Sequence, residues 1–410
     1  MAAKSIVIVG AGHAGVQLAA SLREEGYQEN VTLLSDELDL PYQRPQLSKA
    51  FLKASDTNGL PLRAEQFYSD NRIELQLGES AARIDRHSHR VELQSGRAVE
   101  YSHLVIASGA RPRPFDSPGA TLEGVAILRR LSDARLLRDQ LAVARHIVVV
   151  GAGFIGLEIA ATAASFGKNV TIVEIGQRAM GRAVSPITST FFGKAHGSFG
   201  ARMLLNTGVA ALRGQSGRVS EVELSDGSRL KADLVVVGVG ILPDDALASA
   251  AGIDCGDGIV VDGELKSSDD SISAIGDCAE FPSHFVDASI RLESVQNAVD
   301  QARCVARRLV GKAERYAALP WFWSDQGDLK LQIAGLARGV DRWIIRGDPE
   351  ARSFAVFGFR GGVLAAVETV NRTGDHMAAR KLIEQGLPLS PAEAGDANFD
   401  LRRRALSSKR

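Results

Sequence analysis

Two short glycine patterns constrain this chain more than anything else in it. Gly10-Ala11-Gly12-His13-Ala14-Gly15 follows the apolar run Ser5–Val9, and Gly151-Ala152-Gly153-Phe154-Ile155-Gly156 follows Ile147–Val150. One G-x-G-x-x-G says little. Two, each after a β-rich run and before a helix-like one, point to two dinucleotides held by one polypeptide. The first glycine permits a tight strand-to-helix turn, the second lets backbone approach a pyrophosphate, and the third lets helix and strand pack closely. The helix N-terminus then presents unpaired N–H groups and a positive partial charge to the phosphates. The usual reason to hold two dinucleotides is to move electrons between them, which suggests a flavin and a nicotinamide. Gly10, Gly12, Ala14 and Gly15 are the candidates at the first site, and Gly151, Gly153, Ile155 and Gly156 at the second.

The 410 residues suggest two or three domains, and 45% hydrophobic with 24% charged content matches a globular chain. A net charge of −1 argues against nucleic acid as partner. No apolar run approaches the ~20 residues of a membrane helix. With a first strand beginning at Ser5, no signal peptide is expected, which implies a cytoplasmic protein. Cys255, Cys278 and Cys304 form no C-x-x-C, so all three read as buried structural thiols. Neither they nor the eight histidines show metal-ligand spacing, and no metal is expected. His13 and His103 read as structural.

The first unit comprises strand 6–9, helix 14–25, strand 31–34, a long loop 36–62 and a closing strand 103–107. The second repeats the plan with strand 147–150, helix 154–166, strand 170–174 and the closing run Leu234–Gly240. Proline follows each closure, as Pro112 and Pro243. Such a repeat reads as two related α/β domains. A short strand ends at Gly276-Asp277, and a helix-like stretch covers Val295–Val310. Beyond Pro320, strand-like runs 329–334, 342–345, 353–359 and 363–370 suggest a small antiparallel α+β domain. The basic stretch Leu401–Arg410 reads as a solvated terminus.

An acid about 20 residues beyond the glycine turn accepts hydrogen bonds from the ribose diol and repels a 2′-phosphate. Glu174 occupies that place in the second unit, with only Arg178 nearby, so NADH is favoured over NADPH. In the first unit the equivalent position is Ser35. Asp36 is the better ribose candidate, with Glu37 as the alternative. The loop Pro41–Lys49 sets two cations, Arg44 and Lys49, between prolines, placing positive charge where an electron-rich reduced flavin would be stabilised. It contains no cysteine, so a thiol relay in this loop is excluded.

Five segments carry a resemblance over essentially the whole chain: 44–49, 151–158, 275–278, 293–298 and the run Pro320-Trp321-Phe322-Trp323-Ser324-Asp325-Gln326. The chain resembles the FAD-dependent, NADH-linked ferredoxin reductases, of putidaredoxin-reductase and rubredoxin-reductase type, that serve Rieske oxygenases and haem-thiolate monooxygenases. The resemblance implies an α/β, glutathione-reductase-like fold with two Rossmann-type dinucleotide-binding domains and a C-terminal α+β domain. The expected boundaries are 1–112 and 243–319 for the FAD domain, 113–242 for the NAD domain and 320–410 for the last. It implies that Arg44 and Lys49 flank the flavin, with Lys49 facing Glu158, and that Asp277 binds the ribityl or pyrophosphate region. It also implies that Val295 offers backbone groups to the flavin pyrimidine edge and that Trp323 packs by nicotinamide and flavin. Ala81, Arg129 and Gly240 complete the candidate cofactor-binding positions, and Lys49, Glu158 and Trp323 are the candidate catalytic ones. Gln46 departs from relatives that often carry a second proline, but leaves both cations in place.

The expected reaction passes a hydride from NADH to FAD, and then electrons singly to a 2Fe–2S ferredoxin. The rivals are reduction of rubredoxin or another acceptor, an apoptosis-inducing-factor-like NADH-sensing interaction protein, and a nucleotide sensor without turnover. An acidic ferredoxin must find a local basic patch on a near-neutral protein. Arg303 and Arg307, one helical turn apart after Val295, are the candidate contacts. The chain is expected to be a monomer or weak dimer.

Overall fold

The computed structural model describes residues 5–53 and 60–407. The chain divides into two units. One contains residues 1–44, 58–111 and 241–320, and the other contains 45–57, 112–240 and 321–410.

The first unit is built on a five-stranded parallel sheet. Its order is Ile272–Ala274, His103–Ile106, Ser5–Val9, Asn30–Ser35 and Ile73–Leu77. Its central strands Ser5–Val9 and His103–Ile106 are near-continuous runs of Val, Ile and Leu because helices cover a parallel sheet. Helices His13–Glu24 and Val295–Leu309 pack against each other there. The core includes Ile8, Leu18, Leu33, Leu104, Ile106 and Val305, all fully buried. An antiparallel meander over 81–100 and a four-stranded sheet over 255–291 complete this unit.

The second unit repeats the parallel arrangement, in the order Ala201–Leu204, Asn169–Val173, His146–Val150, Leu234–Val237 and Val125–Ile127. Registers match between the repeats. Gly10 N–H donates to Leu34 O at 3.0 Å, and Gly151 N–H to Val173 O at 2.8 Å. Ser35 is therefore the structural counterpart of Glu174. The same unit holds a five-stranded antiparallel sheet, ordered Trp321–Gln326, Leu329–Gly335, Val363–Val370, Ser353–Arg360 and Arg342–Asp348. Helix Thr373–Glu384 packs on it, and Phe354, Phe357 and Phe359 fill its core.

Three sequence expectations need correction. Of the stretch read as a solvated terminus, Leu401–Leu406 forms a helix that packs on helix Thr373–Glu384 and buries Leu401 and Ala405. Cys255 is exposed, not buried, because the short strand Cys255–Gly256 lies at the edge of its sheet; Cys278 and Cys304 are buried. The loop 36–62 is not structureless: it contains a turn of 3-10 helix at Arg44–Gln46 and a short helix at Ala50–Lys53. Residues 54–59 of that loop lie outside the described residues. No helix among the described residues is long and apolar enough to cross a membrane.

Candidate functional site

The two glycine turns divide their labour in the same way. Gly10 has φ +106°, and a Cβ there would lie 2.3 Å from Ala107 O. Gly15 would place a Cβ 1.9 Å from Gly10 O. Those glycines are needed by the protein's own backbone. Gly12 differs: its φ is −78° and a Cβ would meet nothing within 4 Å. It is the N-cap of helix His13–Glu24, makes no side-chain cap and has no acid in the turn that follows. The second turn matches. Gly151 (φ +102°) and Gly156 would bring a Cβ to 2.4 and 2.3 Å of Gly238 O and Gly151 O. Gly153, the N-cap of helix Phe154–Ser165, faces open space. Both turns thus leave an uncrowded cradle of donors, the environment a pyrophosphate requires. The residues present fit two dinucleotides.

Around the first turn, Gly276 (φ +77°) brings the start of its 3-10 turn against helix His13–Glu24, with its would-be Cβ 3.2 Å from that of Ala14. Gly276 N–H donates to Gln301 Oε1 at 2.7 Å, which ties the Gly276–Asp277 turn to helix Val295–Leu309. Ser294 caps that helix by accepting from Asn297 N–H, leaving half-buried Val295 as its first residue. Asp277, Ala14 and Val295 are thereby gathered at one end of the parallel sheet. Arg44 does not stand apart as a loop cation. It donates to Glu37 Oε1 at 2.7 Å, and Tyr42 Oη donates to Glu37 Oε2 at 2.7 Å. Asp36 is exposed, and Ala81 begins the strand Ala81–Asp85 at the edge of the core. Burial, reinforced by Arg44, lowers the His13 pKa to about 4, so His13 is neutral in the turn.

In the second unit, Glu174 follows the last residue of its strand. Its carboxylate accepts from Ala152 N–H at 2.7 Å and Gly176 N–H at 2.6 Å. The acid therefore also braces the glycine turn. Arg178 donates to Val184 O and Gly181 O at 2.6 and 2.5 Å, holding its own loop. Gly240 has φ +104° beside the Arg182 and Arg113 side chains. Ile155 is 45% exposed, and Arg129 N–H is capped by Asp133.

Lys49 and Glu158 come together. Lys49 Nζ lies 3.0 Å from Glu158 Oε1, with side chains 18% and 3% exposed. Two serines also reach the carboxylate: Ser48 Oγ at 2.5 Å from Oε2 and Ser324 Oγ at 2.6 Å from Oε1. Thr162 Oγ1 donates to Ser48 O at 3.1 Å and fixes the loop against helix Phe154–Ser165. Strand and helix meet in step. Four helical residues rise ~6 Å and two strand residues ~6.6 Å. Phe154 accordingly packs against Phe322, with tilted rings whose centroids are 4.5 Å apart, and Glu158 one turn on meets Ser324 two residues on. Trp323 points to the other face of its strand, beside Trp321, with centroids 5.6 Å apart. The structure joins Lys49 to Glu158 but does not place Trp323 on that face. Ser48, Ser324 and Phe322 escaped the sequence reading. For the two strand residues the signal is the alternation in Phe322-Trp323-Ser324-Asp325-Gln326, where the polar residues 324 and 326 are fully buried; Ser48 carried none.

On helix Val295–Leu309, Arg303 is half-exposed and reaches Asp300 at 3.5 Å, whereas Arg307 pairs with Glu25 and Glu314.

The chain matches the pyridine nucleotide-disulphide oxidoreductase family over residues 4–302 and the reductase C-terminal family over 321–405. It is 47% identical to rhodocoxin reductase of Rhodococcus erythropolis, over 97% of this chain and 93% of that one. It is 39% identical to putidaredoxin reductase of Pseudomonas putida, over 99% and 97%. Among solved structures, a ferredoxin reductase from Rhodopseudomonas palustris superposes with a TM-score of 0.96 at 48% identity, covering 98% of this chain and all of that one. The reductase in a covalent putidaredoxin reductase–putidaredoxin complex gives 0.96 at 38%, covering 99% of each. With both family matches and whole-length relatives above 30% identity, the chain belongs to the pyridine nucleotide-disulphide oxidoreductase family and carries its reductase-type C-terminal domain.

Proposed function

We propose that this enzyme passes electrons from NADH through FAD to a 2Fe–2S ferredoxin that feeds an oxygenase. The observation that carries this reading is the pair of open glycine cradles in one chain, with, in the second unit, Lys49 paired with the buried Glu158. Relatives named as reductases of ferredoxins over nearly their whole length supply the acceptor class. Bound FAD accepts a hydride equivalent from NADH and releases electrons one at a time.

The chain's own residues bind, orient and tune. Gly10, Gly12, Ala14 and Gly15 would hold the FAD pyrophosphate, with Asp36 toward the ribose, Ala81 on the adenine side and Arg44 and Arg129 on the flavin side. Asp277 and Val295 would complete that site. Gly151, Gly153, Ile155, Gly156 and Gly240 would hold NADH, and Trp323 would pack by the reacting rings. Lys49 would supply positive charge to the flavin, with Glu158 holding it in place. We assign 1–112 and 243–319 to the FAD domain, 113–242 to the NAD domain and 320–410 to the C-terminal domain, and place the protein in the cytoplasm as a monomer or weak dimer. The direct test of acceptor class is kcat/KM with a 2Fe–2S ferredoxin against rubredoxin. The reading requires the ferredoxin to be preferred, and a preference for rubredoxin overturns it.

NADH should exceed NADPH in kcat/KM. A 2′-phosphate facing Glu174 costs on the order of 1–3 kcal/mol, roughly tenfold to a hundredfold. Glu174→Ala narrows that ratio. It also raises KM for NADH, because Ala152 and Gly176 lose their acceptor. Equal kcat/KM for both nucleotides in the unmodified protein refutes the assignment.

Arg303, not Arg307, is the better candidate for a ferredoxin contact, because both carboxylates around Arg307 already engage it. Arg303→Glu should lower ferredoxin-dependent kcat/KM severalfold at low salt, and less at high salt, while NADH-to-ferricyanide activity is retained. An unchanged value at low ionic strength places the docking face elsewhere.

A further inference from the structure

Behind Glu158 the polar contacts continue. Ser324 Oγ lies 3.2 Å from Gln326 Nε2, and Gln326 Oε1 lies 2.9 Å from His196 Nε2. Ser324, Gln326 and His196 all have zero exposure, so water cannot substitute for any of them. Three segments far apart in sequence supply this line: helix Pro186–Ser198, strand Trp321–Gln326 and helix Phe154–Ser165.

Its hydrogen positions follow from the network. The Glu158 carboxylate only accepts, so Ser48 and Ser324 both donate to it. The single hydroxyl hydrogen of Ser324 is then committed, and its oxygen must accept from Gln326. That fixes the amide with its NH2 toward Ser324 and Met180 Sδ, which lies at 3.6 Å. The amide oxygen faces His196, which must donate from Nε2. Among the described residues His196 Nδ1 has no hydrogen-bond partner, in keeping with a bare lone pair there. Burial lowers the His196 pKa, with the Gln326 bond acting in the opposite sense, so the neutral ring is the form this arrangement uses. Every donor points the same way, from His196 through Gln326 and Ser324 to Glu158, and bonds so aligned polarise one another.

We infer that Gln326, oriented by His196, is a positioning residue for the Lys49–Glu158 pair: it holds the Ser324 hydroxyl on Glu158 and so sets how strongly Glu158 draws on Lys49. The inference rests on the proposal above that Lys49 supplies charge to the flavin. When Gln326 is lost, Ser324 is free to turn away. Glu158 then has fewer donors, draws Lys49 closer, and the flavin becomes harder to reduce.

The test uses charge-neutral variants of the FAD-loaded protein. In Gln326→Met and His196→Leu, the two-electron reduction equilibrium of the bound flavin should fall roughly threefold to tenfold, or ~15–30 mV by the two-electron conversion. His196→Gln keeps an N–H at the Nε2 position and should remain within about twofold of wild type. Lys49→Met is the reference. If it shifts the equilibrium while Gln326→Met and His196→Leu do not, the positioning role is overturned and the Lys49 reading stands. If Lys49→Met also leaves it unchanged, the Lys49 reading falls and this inference falls with it. A loss of Tm without a change in potential marks a merely structural residue and likewise overturns the role. Nitrogen-15 NMR of the wild-type protein gives a check that depends neither on turnover nor on the variants folding. The expected signal for His196 is the neutral Nε2–H tautomer, and an Nδ1–H tautomer overturns the inference.

Discussion

Gly12→Asp should purify as a folded protein lacking FAD, whereas Gly153→Asp should remain yellow and lose its affinity for NADH. Both positions are helix N-caps with ordinary φ values and open space around the missing Cβ. Aspartate is a preferred N-cap, better than glycine by a few tenths of a kcal/mol, so neither change strains the fold. What each does is fill the cradle and set a carboxylate where a pyrophosphate must sit. The expected loss is at least about a hundredfold in affinity, ~2.7 kcal/mol. Melting should drop in Gly12→Asp only by the stabilisation that bound FAD contributes through mass action. Gly15→Ala serves as contrast. Its Cβ would meet Gly10 O at 1.9 Å, so helix and strand must separate and folding itself suffers. Flavin content by absorbance, circular dichroism and NADH KM separate the three cases. Full FAD occupancy in Gly12→Asp would contradict the placement of the first dinucleotide.

Lys49→Met should slow reduction of the flavin by NADH about a hundredfold, at 1.36 kcal/mol per tenfold in the barrier. Removing one member of a buried ion pair commonly costs 3–5 kcal/mol of stability. Here the cost should lie nearer 1–3 kcal/mol. Glu158 keeps both serine donors, at 2.5 and 2.6 Å, and Lys49 is the more exposed partner. The loop is anchored independently by Thr162, and by Phe51 beneath the Arg138 guanidinium. Rapid-mixing absorbance against a thermal melt distinguishes the two effects. A reduction rate within twofold of wild type leaves Lys49 only the structural partner of Glu158, without a part in the chemistry.

The features legible in the sequence are those that local chemistry dictates. Gly10 and Gly151 need positive φ, and Gly15 and Gly156 need the absence of a Cβ, so the turns announce themselves. The parallel strands were readable as Val/Ile runs, and helix Val295–Leu309 as a helix-like stretch, though its Ser294 cap was not read. The meanders at 81–100 and 209–231 were not. Their short strands are half-exposed and carry cross-strand pairs such as Arg213–Glu223 in place of an apolar run. Nor could sequence show that Arg44 is engaged by Glu37, or that Ser324 and Gln326 serve Glu158 and His196. Those partnerships span 166 and 130 residues and exist only once strand Trp321–Gln326 lies along its helices. Strand alternation sets Trp323 beside Trp321, on the face opposite the one that Phe322 and Ser324 share.

The most direct measurement is an anaerobic titration read by absorbance. FAD-loaded protein receives NADH and then an oxidised 2Fe–2S ferredoxin. One NADH is expected to bleach the flavin of one chain. The reduced protein then regains its colour as two ferredoxins are reduced, each taking one electron. A flavin that bleaches fully with NADH but passes no electrons to any ferredoxin, at low or high salt, would contradict the proposed reductase and favour a nucleotide-sensing protein.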